Sequence, residues 1–102
     1  MYDLENKVVL ITGASSGIGR ETAYAFGKEK SKLILFDKNT DGLEVTKDNL
    51  RKIGCEPITM CVDVTKEVQV RDAVKASVDE TGHIDVLVNC AGVSTMQWSW
   101  KL

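Results

Sequence analysis

The chain has 102 residues, a formal net charge of −2 and 43% hydrophobic residues. That describes one domain with enough apolar material for a core, near the small end for a sheet covered by helices on both faces. The mild acidity argues against nucleic acid or an anionic membrane as partner, and no apolar run approaches membrane-spanning length. The opening residues 1–7 are polar and charged and do not read as a signal peptide, so a cytoplasmic chain is expected. Cys55, Cys61 and Cys90 form no CxxC pair, and the expectation is buried free thiols, with no disulfide and no metal site.

In chain order, residues 7–12 are, after Lys7, apolar or β-branched, the pattern of a parallel strand buried on both faces. Ser16 is placed to cap a helix on which Ile18, Thr22, Ala23 and Phe26 recur at helical spacing. Residues 32–36 make the second strand, which ends at Asp37. A helix from about Thr40 carries Leu43, Leu50 and Ile53 inward and ends at Gly54. Residues 58–62 read as the third strand, with Pro57 at its start. Thr65 is the expected cap of a helix that lines up Val70, Val74 and Val78 and closes at Gly82. Residues 85–89 make the fourth strand.

Alternating strands and helices of this kind imply an α/β, Rossmann-type doubly wound parallel sheet with right-handed crossovers. The second strand is expected beside the first and the third beside the second. The fourth returns to the free side of the first, giving the order 3-2-1-4. The switch point between strands one and four is where such sheets bind ligands. Gly13, Gly17 and Gly19 lie there, in the run Thr12-Gly13-Ala14-Ser15-Ser16-Gly17-Ile18-Gly19. Glycines in that position let backbone approach a phosphate and leave N–H groups at a positive helix terminus to hold it. Ser15 and Ser16 read as phosphate and cap donors rather than nucleophiles, since no histidine accompanies them. Asp37 falls at the end of the second strand, roughly 20–25 residues after the first glycine, where a carboxylate accepts hydrogen bonds from an adenosine ribose and repels a 2′-phosphate. NAD is therefore expected over NADP, with Lys38 the one neighbour that softens the preference. The alternative for Asp37 is a solvated carboxylate at a strand end.

These features resemble the short-chain dehydrogenase/reductase family. The spacing Thr12-Gly13-x-x-x-Gly17-x-Gly19 is that family's form of the glycine motif, Asp63-Val64 matches its adenine-side pair, and Val88-Asn89-Cys90-Ala91-Gly92 matches its Asn-Asn-Ala-Gly stretch with Cys90 in place of the second Asn. The stretches Gly19-Arg20-Glu21-Thr22-Ala23-Tyr24 and Ser31-Lys32-Leu33 look like the retinol and 17β-hydroxysteroid dehydrogenase branch. The resemblance implies a dinucleotide site made by Gly13, Ser15, Ser16, Gly17, Ile18, Gly19, Asp37, Asp63, Val64, Asn89, Ala91 and Gly92. In it Asn89 braces the sheet, and Ala91 and Gly92 run along the ribose.

Family enzymes move hydride with a Ser, a Tyr-x-x-x-Lys pair and a further Asn, all downstream of the Asn-Ala-Gly motif. This chain reaches Leu102 without them, so no residue is assigned as catalytic. Residues 1–93 read as the dinucleotide-binding part and 94–102 as a tail without family counterpart. The expectation is a fragment, a prematurely ended reading frame or a splice product. It is expected to be either the cofactor half of an oxidoreductase, inactive alone, or a non-catalytic binding module that holds NAD weakly or pairs with a full-length homologue through the exposed fourth strand. A chain without a role stays open beside these. Tyr24 and Lys28 formally satisfy Tyr-x-x-x-Lys, but they lie on the helix after the glycine loop, and the family's serine would fall at Ile11. His83 sits in the turn before the fourth strand and reads as structural, with no partner acid or nucleophile beside it.

Overall fold

The computed structural model describes residues 4–91. Gly92 and the tail 94–102, including Trp98 and Trp100, lie outside the described residues. The elements follow the expected alternation: β1 (Val8–Thr12), α1 (Gly17–Lys28), β2 (Lys32–Asp37), α2 (Thr40–Lys52), β3 (Ile58–Cys61), α3 (Glu67–Thr81) and β4 (Val86–Asn89). The strands form a parallel sheet in the order β3-β2-β1-β4. Val9 pairs with Leu33 on one side and Val86 on the other, and Thr12 with Phe36 and Asn89. On the outer side of β2, Asp37 pairs with Cys61.

The period-two alternation of strand side chains divides the core into two layers. Val9, Ile11, Leu33 and Leu35 face one way and pack with Ala23 of α1 and Leu43 and Leu50 of α2. Val8, Leu10, Ile34 and Phe36 face the other way and pack with Val62 and with Val70 and Val74 of α3. All of β1 is buried, and each large side chain so enclosed stabilises the fold by about 1.5–3 kcal/mol. No helix among the described residues is long and apolar enough to cross a membrane.

Several local expectations are corrected. Ile18 is 79% exposed and Ile53 is exposed too: Ile18 stands at the mouth of the glycine loop, and Ile53 lies past the end of α2 as its C-cap. Thr65 does not cap α3. The N-cap position is Lys66, and the Thr65 hydroxyl donates to Asp63 Oδ1 at 2.6 Å, a local turn that competes with the helix for the same group. The cap of α2 is a side chain the pattern did not single out, Asn39, whose Oδ1 accepts from the Gly42 N–H at 3.0 Å. The cysteines are free, but Cys61 is exposed and Cys55 and Cys90 half-buried. Cys61 ends β3, which is an edge strand among the described residues, and the other two lie in connections.

The other end of β1 is tied to β4 through Asp85. Its N–H donates to the Val8 carbonyl at 2.9 Å, and its Oδ2 accepts from the Val8 N–H at 2.8 Å. His83 Nε2 lies 2.9 Å from the same oxygen, so the histidine does have a partner acid, at the end of the sheet away from the glycine loop. The Val8 amide first, and His83 after it, hold the Asp85 carboxyl below the ordinary carboxylate range. A carboxylate whose pKa is depressed by folding adds stability above its unfolded pKa, about 3.9, and loses it as pH falls through the lower folded value. Asp85→Asn is therefore expected to be less stable than the parent at pH 6, with the gap closing below about pH 4. Urea unfolding at pH 6, 4 and 3 measures it, and a gap independent of pH would contradict the assignment.

Candidate functional site

The glycine loop leaves the carboxyl end of β1 beside the ends of β2 and β4. The Gly13 N–H donates to the Phe36 carbonyl at 2.9 Å. A Cβ at Gly13, where φ is +71°, would stand 2.6 Å from the Cys90 carbonyl oxygen and 2.8 Å from Ala91 Cα. At Gly19 it would stand 1.9 Å from the Gly13 carbonyl oxygen. Gly17 turns the chain at φ +56° and faces open space. Ser16 occupies the N-cap position of α1 in extended backbone, yet its hydroxyl makes no capping bond, which corrects the expected cap. The left-handed turn at Gly17 takes the first turn out of ordinary capping geometry. Helix-start N–H groups have no intrahelical partners, and without a side-chain cap they suit an external anion.

Asp37 is joined to this loop directly. Its Oδ2 accepts from the Ser15 N–H at 3.1 Å and its Oδ1 from the Asn39 N–H at 3.0 Å. Across β1, Asn89 Oδ1 accepts from the buried Thr12 hydroxyl at 2.7 Å and from the Ala91 N–H at 3.3 Å. The structure thus brings Gly13 to Gly19, Asp37, Asn89 and Ala91 together at the carboxyl ends of the strands. Asp63 and Val64 follow β3 farther out. Asp63 bonds locally, its carboxyl held below the usual range by the Thr65 hydroxyl and amide, and its N–H donates to Gln69 Oε1 at 3.0 Å. Val64 packs against the α3-side core. Tyr24 faces α2, where its hydroxyl accepts from Asn49 Nδ2 at 2.8 Å.

Three residues not singled out in the sequence support the loop from behind. The Thr46 hydroxyl, fully buried, donates to the Ala14 carbonyl at 2.9 Å. Arg20 donates from Nε to Thr46 Oγ1 at 2.9 Å, and from Nη2 to the carbonyls of Ser15 and, at 3.0 Å, Gly42. Gly42 permits the approach, since a Cβ there would lie 2.7 Å from Ser15 Cβ. The available signal was Thr46, a polar side chain on the stripe between Leu43 and Leu50.

Uncapped amides beside a carboxylate at a strand end can hold a phosphate and a vicinal diol together, and the residues present fit a dinucleotide. The short chain dehydrogenase family model matches residues 7–101. The chain belongs to that family. Among relatives similar to this chain, estradiol 17-beta-dehydrogenase 11 of Rattus norvegicus is 44% identical over 87 residues, covering 85% of this chain and 29% of the relative. The 17-beta-hydroxysteroid dehydrogenase 13 of Mus musculus is 43% identical, covering 84% and 28%. The chain therefore spans less than a third of the curated relatives it matches. Among solved structures, glucose dehydrogenase of Caenorhabditis elegans in the apo form superposes with a TM-score of 0.83 at 31% identity, over 91% of this chain and 40% of that one. A short-chain dehydrogenase/reductase of Burkholderia phymatum in complex with NAD gives 0.80 at 36% identity, over 85% and 31%.

The loop's close contacts predict a graded response to added methyl groups. Gly19→Ala is expected to cost about 3 kcal/mol or more, because backbone must move to admit it. Gly54→Ala, at φ +85° with nothing within 4 Å, is expected to cost only the conformational penalty of about 1–2 kcal/mol. Equal losses in chemical denaturation would show that the loop is not so tightly packed.

Proposed function

We propose that this chain is the NAD-holding part of an oxidoreductase that moves hydride between nicotinamide and an alcohol or ketone. The observation that carries the reading is the hydrogen bond between Asp37 and the Ser15 amide, which joins a strand-end carboxylate to the glycine loop. The loop and helix-start amides, with Ser15, Ser16, Gly17 and Ile18 around them, hold the pyrophosphate. Asp37 accepts from the adenosine ribose hydroxyls. By the family pattern, Asp63 and Val64 flank the adenine, and Asn89, Ala91 and Gly92 run along the second ribose. The bound dinucleotide supplies the hydride acceptor or donor, while this chain's residues bind and orient it.

NAD is favoured over NADP because a 2′-phosphate would meet the Asp37 carboxylate in a partly desolvated place, where like charges repel strongly. Supporting this, the similar Burkholderia phymatum structure holds NAD. None of the residues here is assigned to proton transfer. Tyr24 is engaged with Asn49 on the α1–α2 side, which speaks against a catalytic part for Tyr24 and Lys28. A second reading, a non-catalytic module that pairs with a full-length homologue, draws on β4. Among the described residues this strand has a neighbour on one side only, and Leu87 on it is 37% exposed.

Asp37→Ala is expected to narrow the ratio of NAD to NADP affinity by about tenfold, the equivalent of 1.4 kcal/mol, in titration calorimetry. An unchanged ratio would remove Asp37 from the ribose site. The 102-residue chain is expected to bind NADH and neither to reduce ketones with it nor to oxidise alcohols with NAD. Turnover by this chain that Tyr24→Phe abolishes would overturn the assignment, whereas co-purification with a full-length homologue would favour the second reading.

A further inference from the structure

The glycine loop has two sides, and the proposed nucleotide contacts use only one of them. On the other side, Thr46 Oγ1 has the Ala14 carbonyl at 2.9 Å and the Gly42 carbonyl at 3.2 Å as acceptors. The same oxygen accepts from Arg20 Nε at 2.9 Å. Arg20 Nη2 reaches the Ser15 and Gly42 carbonyls, so a single guanidinium on α1 joins the loop to α2.

A peptide unit is planar and trans, so its N–H points opposite to its carbonyl. With the Ala14 carbonyl fixed toward Thr46, the Ser15 N–H must aim the other way, and it is found on Asp37 Oδ2 at 3.1 Å. With the Ser15 carbonyl fixed on Arg20, the Ser16 N–H is turned away from the guanidinium, and Ser16 is an exposed residue. The two side chains therefore set the planes of consecutive peptide units, and one of those planes also places the Asp37 carboxylate.

We propose that Arg20 and Thr46 are positioning residues for dinucleotide binding. They orient the Ala14–Ser15 and Ser15–Ser16 peptides so that loop amide and Asp37 carboxylate meet the pyrophosphate and ribose as one preformed surface. The proposal rests on the nucleotide reading above. It assigns Arg20 a geometric part and not that of a cation for the phosphates, because its Nε and Nη2 donors are directed to Thr46, Ser15 and Gly42. A lysine keeps the charge but lacks the planar fork that reaches separate acceptors at once.

The test is NADH titration of the 102-residue chain and its variants by fluorescence, together with amide NMR spectra of the free proteins. Arg20→Met, Arg20→Lys and Thr46→Val are each expected to weaken NADH about tenfold or more, the usual effect of unmaking a partly buried hydrogen bond. Thr46→Ser keeps the hydroxyl and is expected to restore affinity. In Arg20→Lys the Ser15, Ser16 and Gly17 amide resonances are expected to move while the dispersion of the strand amides persists, which global loosening would not produce. Parental affinity in Arg20→Lys would overturn the proposal by showing that charge suffices. Parental affinity in Thr46→Val, or loss in Thr46→Ser equal to that in Thr46→Val, would overturn it too. If Thr46→Val does not fold, Arg20→Lys and Thr46→Ser carry the comparison. If the parent chain itself ignores NADH, the nucleotide reading fails by that result. The loop resonances then decide whether Arg20 and Thr46 orient these peptides: unmoved resonances overturn the inference.

Discussion

A space too small for one methyl group governs the functional end of this molecule. The start of α1 lies so close over the end of β1 that a Cβ at Gly19 would fall 1.9 Å from the Gly13 carbonyl oxygen. A helix cannot begin that near its preceding strand unless the intervening chain reverses tightly, which it does through positive φ at Gly13 and Gly17. The same closeness at Gly13 admits the Cys90–Ala91 backbone from the far side. Strand, helix start and the connection after β4 thus converge where no side chain intervenes.

The rest of the fold supplies the rigidity that such an approach requires. β1 is hydrogen-bonded on both sides and buried on both faces, so its end cannot retreat without breaking two ladders and both cores. This is also why the architecture was legible in the sequence. Val8 to Thr12 has no polar face to offer solvent, so it belongs at the centre of the sheet, and the alternation of Val9 and Ile11 with Val8 and Leu10 requires helices above and below. The edge strands β3 and β4 are shorter and only partly covered. There the expectation weakened: Cys61 was expected to be a buried thiol, and the strand's place at the edge among the described residues leaves it exposed.

What the sequence concealed was mostly the choice each small polar side chain makes among competing partners. Ser16 and Thr65 were reasonable caps by position, but Thr65 found Asp63 two residues away, and Ser16 was followed by a left-handed turn. On α2, for which no cap was expected, Asn39 captured the Gly42 amide. The support behind the glycine loop was hidden for a different reason. Thr46 and Arg20 meet each other across 26 positions, and Thr46 meets Ala14 across 32, and neither separation leaves a periodic trace. A hydroxyl on an otherwise apolar helix stripe is a deviation whose meaning emerges only when the helix has been placed against the loop.

Asp37 links these two kinds of determinant. Its position at a strand end was readable, whereas its orientation depends on donors from two different segments. The Ser15 and Asn39 amides each engage one carboxylate oxygen, and an ionised carboxylate offers about four lone-pair sites in all. The amides therefore leave acceptor capacity on both oxygens while removing the freedom of the group to rotate. A diol that arrives at such a carboxylate meets it already oriented, so less side-chain entropy is lost on binding than at a solvated aspartate. The Ser15 amide that orients Asp37 belongs to the peptide whose carbonyl rests on Thr46. The orientation of the Asp37 carboxylate thus traces back through one peptide plane to a buried hydroxyl on α2, and on the proposed reading the two ends of a dinucleotide's adenosine diphosphate would be read by a single mechanical unit.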